Sequence, residues 1–121
     1  MNEEYINELL QELKQEWSYP DGFFVKARYG EMDSDGYGRV ISILERMSAV
    51  LSGAQDEKTL DRKLVLGLWH IPWFLQVQDS RVYKKNKMSP EKHWATWCSK
   101  VHTLIWKIFG LDTEAYGRTE N

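Results

Sequence analysis

Tyr5-Ile6-Asn7-Glu8-Leu9-Leu10-Gln11-Glu12-Leu13-Lys14-Gln15-Glu16-Trp17 is the stretch that decides the fold class. Tyr5, Ile6, Leu9, Leu10, Leu13 and Trp17 recur with the period of a helix and not with the two-residue alternation of a strand. Glu4, Glu8, Glu12 and Glu16 fall on the other side. The pattern predicts a helix over 3–17 with one buried stripe and one solvated stripe. Ser18-Tyr19-Pro20-Asp21-Gly22 ends it with turn-forming residues.

The same period returns along the chain. Tyr37, Val40, Ile41, Leu44, Met47, Val50 and Leu51 predict a helix over 34–51, with Asp33 or Ser34 as its cap and Ser52-Gly53 as its stop. Gly36 and Gly38 weaken its first turn. Leu60, Leu64, Leu68 and Ile71 predict a helix over 57–71, which Pro72 must end or kink. Phe74, Val77 and Val82 carry the pattern on over 73–84, and Lys84-Lys85-Asn86-Lys87 reads as a solvated basic connection. Ser89-Pro90-Glu91 combines a capping residue, a first-turn proline and an acid at the positive helix end. It opens a helix over 90–109 whose buried face is Trp94, Trp97, Val101, Leu104, Ile105 and Ile108, and Gly110 stops it.

Residues 23–29 break the uniformity. Phe23-Phe24-Val25-Lys26-Ala27-Arg28-Tyr29 is rich in β-type residues and partly alternating, yet short and isolated. The expectation is a loop with extended character, with a hairpin to Val40–Leu44 as the alternative. The whole reads as an all-α bundle of four to five helices, kinked at Pro72, in one domain over 1–121. A chain of 121 residues is long enough for one core.

Charge divides the chain. Residues 1–61 hold 13 Asp/Glu against 6 Lys/Arg, and residues 62–121 hold 5 against 10, so the net of −2 hides an acidic half and a basic half. Such asymmetry bears on partners and encounter rates. The Glu4/Glu8/Glu12/Glu16 stripe has only Lys14 inside it, and glutamates four apart on a helix repel by a few tenths of a kcal/mol per pair. A plain solvated face is the bland explanation. The specific one joins Glu8, Glu12 and Glu16 with Asp33, Asp35, Asp56 and Glu57 into an acidic surface for a basic protein.

No residue set spells out a reaction. Glu31-x-Asp33-x-Asp35-Gly36 opens like a calcium loop, but the ninth and twelfth positions are Arg39 and Ser42, where ligands are needed. An acidic helix start explains it without a metal. Cys98 and His102 lie one turn apart, while His93 points about 140° away from Cys98, so no zinc set converges. Cys98 beside Trp97 reads as a small buried hydrophobe, not a nucleophile. No phosphate loop or nucleophile motif is present. The expectation is a chain that is not an enzyme and takes no cofactor and no metal. The mixed charge and a pI near 5.9 do not favour direct nucleic-acid binding.

The opening Met1-Asn2-Glu3-Glu4 lacks a secretory pattern, no run of about 18 apolar residues suggests a membrane span, and a lone cysteine suits a reducing compartment. A cytoplasmic location is expected. Six Trp, six Tyr and four Phe are unusually many. Spacing puts Trp69, Trp73, Trp94 and Trp97 in the core, and leaves Trp106 between a second packed face and an exposed anchor.

Pro20-x-Gly22-Phe23-Phe24-x-Lys26-x-Arg28-Tyr29-Gly30, the Asp33–Leu51 helix, and Leu60-Asp61-Arg62 before a Trp-containing helix span roughly the middle third of the chain. With its acidic face and tryptophan content, the chain resembles the small bacterial immunity proteins of polymorphic or contact-dependent toxin systems. The resemblance implies a cytosolic inhibitor that binds a cognate toxin domain, often a basic nuclease, and blocks its active site. A regulatory or adaptor module using the same face, and a small all-α enzyme or ligand-binding protein using the aromatic helices, are the alternatives.

Overall fold

The computed structural model of the chain describes residues 3–51, 62–86 and 93–109. Seven helical segments run through them: α1 Glu3–Ser18, α2 Phe23–Ala27, α3 Ser34–Leu51, α4 Arg62–Trp69, α5 Ile71–Val77, α6 Asp79–Asn86 and α7 His93–Ile108. No strand occurs among the described residues, and the chain is all-α. The Ser52-Gly53, Ser89-Pro90-Glu91 and Gly110 signals, with Asp56, Glu57 and Leu60, lie outside the described residues. No helix among the described residues is long and apolar enough to cross a membrane.

The centre is α3, which packs against α1 on one side and α7 on the other. Its Val40, Ile43, Leu44 and Met47 are buried. From α1 come Ile6, Leu9 and Leu13, with Tyr5, Leu10 and Trp17 half-buried at the margin. From α7 come Trp94, Val101, Leu104, Ile105 and Ile108. Each fully buried large side chain stabilises the fold by about 1.5–3 kcal/mol, so these three facing stripes supply most of the driving force.

Residues 23–27 are helical, not extended. The reason lies in consecutive phenylalanines. A strand would send Phe23 and Phe24 to opposite faces, whereas neighbours in a helix are only about 100° apart. In α2, Phe23, Phe24 and Ala27 are all fully buried. Phe24 stacks on Trp17 with ring centroids 4.0 Å apart, and Phe23 reaches Trp94 at 6.2 Å. The segment ends at Gly30, whose φ of +81° suits glycine. There the Glu31 N–H donates to the Lys26 carbonyl at 3.0 Å.

The path from Arg62 to Asn86 is broken twice. Pro72 has no N–H to donate to the Leu68 carbonyl, and α4 ends at Trp69. A new helix starts at Ile71 with Pro72 in its first turn, and the Phe74 N–H donates to the His70 carbonyl at 2.8 Å. A second break falls at Gln78, where the Val82 N–H donates to the Gln78 carbonyl at 3.0 Å and opens α6. Lys84 and Lys85 lie in the last turn of α6, not in a connection. Leu68, Ile71 and Leu75 take the buried positions. Trp69, Trp73 and Val77, which the spacing assigned inward, are 67%, 69% and 56% exposed. Of the remaining tryptophans, Trp94 is fully buried, while Trp97 and Trp106 are half-buried.

Candidate functional site

A shallow groove of about 420 Å3 runs between α1 and α3, and of the residues that the charge pattern singled out it is lined by Glu12, Glu16 and Asp35. The helices meet antiparallel. Glu16 lies against Arg39, and Glu12 lies against Arg46. Arg39 Nε donates to Glu16 Oε2 at 2.7 Å, and its Nη2 donates to Oε1 at 3.1 Å. The same Oε1 accepts the Phe23 backbone N–H at 2.9 Å. Gly22 has no side chain to cap α2, so a carboxylate from α1 satisfies its first free donor. Arg39 Nη2 also donates to the Asp21 carbonyl at 3.2 Å.

Arg46 Nη2 donates to Glu12 Oε1 at 2.9 Å, and this pair stays half-exposed. Hydrogen bonding to the partner carboxylate raises the pKa of each arginine, Arg39 through Glu16 and Arg46 through Glu12. Both remain cations at any working pH.

The expected uncompensated stripe is therefore corrected at two of its members. Glu16 is buried at 6% exposure and bound at both oxygens, and Glu12 is paired. Asp33 is also engaged, by Lys26 Nζ at 3.4 Å and by Arg39 Nη2 at 3.8 Å. Its neighbour Glu31 faces Lys85 Nζ at 3.7 Å. Two of the three carboxylates that resembled a calcium loop, Glu31 and Asp33, thus face ammonium and guanidinium groups. Among the described residues, no group of three or more His, Cys, Asp or Glu is placed to hold a metal.

Glu8 and Asp35 are exposed and carry no ion pair among the described residues. Glu8 stands one turn before Glu12, and Asp35 one turn before Arg39, so they extend the paired row at its two ends. Asp56 and Glu57 lie outside the described residues. The surface is a neutralised centre with acidic ends. Over residues 3–51 the balance is 10 acidic against 5 basic residues, a net of −5. The signal that could have found the pairing was the seven-residue spacing of Arg39 and Arg46, which puts both on the face that meets α1.

A second groove, of about 630 Å3, lies between α5–α6 and α7. Cys98 and His102 line it with Trp69, Trp73 and Trp106. Burial, and secondarily the charge of Asp79, push the Cys98 thiol up to about 12. A protonated thiol is a poor nucleophile. Trp106 Nε1–H donates to His102 Nε2, which turns that nitrogen towards the indole. Asp79 Oδ1 accepts the Trp94 indole N–H at 2.7 Å, which satisfies the polar atom of the largest buried ring.

No protein-family model, no curated protein and no solved structure matches this chain.

Proposed function

We propose that this chain is a protein-binding inhibitor of the immunity type, acting in the cytoplasm on a basic cognate toxin domain through the α1–α3 surface. The observation that supports it is the net charge of −5 over residues 3–51, with Glu8 and Asp35 exposed at the two ends of the row. A nuclease must be basic where it grips phosphates. An acidic face of fixed shape competes for that groove and is steered to it. The Glu16–Arg39 and Glu12–Arg46 pairs hold α1 against α3, so the face is ordered before the partner arrives, which lowers the cost of association.

The test is capture of partners by the tagged full-length chain at low and at high salt, with mass spectrometry of what is retained. A basic toxin domain retained at low salt and released more readily at high salt supports the reading. Retention of acidic proteins only, or of nothing from a strain that encodes the partner, rejects it.

A further inference from the structure

Between Lys63 and Asp79 the chain contains no Asp, Glu, Lys or Arg, although such residues make up 28% of the whole. Leu68, Ile71 and Leu75 from this stretch fill the core. Leu66, Trp69, Trp73 and Val77, spaced by three, four and four, stand 63%, 67%, 69% and 56% exposed. The core is thus served by one set of residues, and a second apolar set faces outward. Trp69 and Trp73 line one groove, and exposed apolar surface with tryptophan at its centre marks a contact site.

We propose that the occupant of this face is a second copy of the same chain, and that the protein forms a two-fold symmetric dimer through α4 and α5. Charge is the first reason. In a two-fold contact the same patch meets itself, so any charge near the axis would face its own copy. This stretch has none. A basic partner would find its complement on α1–α3 and nothing here to recognise. Area is the second reason. Two tryptophans at this exposure, with Leu66 and Val77, offer roughly 500 Å2, and two copies roughly 1,000 Å2, the lower bound for a specific interface. Shape is the third. Trp69 and Trp73 line the groove of about 630 Å3 whose far wall is α7, so each copy presents both rings at the edge of a recess. The one formal charge lining that recess, Asp79, already accepts the Trp94 indole N–H.

The experiment is sedimentation velocity on the full chain across a wide concentration range, with Trp69→Glu, Trp73→Glu and Tyr29→Glu as variants. Tyr29 is 72% exposed in the turn after α2, outside α4 and α5, and serves as the control. The wild type and the Tyr29 variant are expected at twice the 14.3 kDa chain mass. Either tryptophan variant should weaken the dimer about tenfold or more. Its helical circular dichroism should stay unchanged. A wild type that is monomeric at every concentration overturns the proposal, whether another protein or another part of the chain covers the stripe. A dimer indifferent to both tryptophan variants overturns it as well.

Discussion

Glu16 on α1 and Arg39 on α3 form a two-point ion pair whose carboxylate also holds the first N–H of α2. One side chain therefore ties three helices together. Glu16→Ala removes the acceptor from a buried N–H and leaves Arg39 without its partner. Arg39 is half-exposed and can rehydrate, so most of the cost falls at Phe23. The expected loss is about 2–4 kcal/mol, read by urea unfolding. Glu16→Gln keeps an oxygen for Phe23 and should lose about half as much, and Glu8→Ala should change stability by less than about 0.5 kcal/mol. Equal effects at Glu8 and Glu16 would contradict the pairing.

Gly22 and Gly38 should respond in opposite directions to alanine. A Cβ at Gly22 would lie 2.4 Å from the Glu16 carbonyl oxygen, a backbone atom that cannot swing aside. Gly22→Ala is expected to cost about 2 kcal/mol or more and to shift the α1–α2 corner. At Gly38, inside α3, a Cβ meets nothing within 4 Å. Gly38→Ala should stabilise the protein by about 0.5–1 kcal/mol through helix propensity. Thermal melts of the two variants decide it.

Cys98 should be inert in the folded chain. Its thiol ionises near 12, raised from an ordinary 9.0 by burial. The folded state holds the proton more tightly than the unfolded state does. The stabilisation linked to it is complete below about 9 and is lost as the pH rises from about 9 to about 12. The stability advantage of wild type over Cys98→Ser should therefore shrink on going from about pH 8 to about pH 10. Labelling by a thiol reagent at mildly alkaline pH should be slow in buffer and fast in denaturant. Fast native labelling would show that the thiolate is accessible.

Charge at the ends of the α1–α3 row should set encounter and not stability. Glu8→Gln combined with Asp35→Asn removes two exposed charges that make no ion pair among the described residues. The melting temperature should stay near wild type. Association with the basic partner should slow and lose part of its salt dependence. Lys84→Gln, in the last turn of α6, is the control and should leave the rate unchanged. A slower rate with the lysine variant alone would point to an acidic partner.

Much of the fold was legible from periodicity. The stripes of α1, α3 and α7 repeat often enough that only one helix face can be buried, and the burial follows those stripes. Phe23–Ala27 was not legible, because five residues do not display a period. Their helix depends on Trp17, Trp94 and a carboxylate seven residues upstream. The outward turn of Trp69 and Trp73 was hidden for a related reason. Two breaks divide residues 62–86 into segments of seven and eight residues, too short for spacing to say which side meets the core.

The sequence by itself determined the helical class and the charge split, since each depends on residue type and local spacing. Only the tertiary structure decided which carboxylates are free. Glu8, Glu12 and Glu16 are equivalent on an isolated helix. The approach of α3 makes them different: Arg39 and Arg46 reach two of them, and burial of Glu16 beside Phe23 turns a surface charge into a structural tie. Coulomb energy and desolvation depend on distance and surroundings through space, and neither is written along the chain.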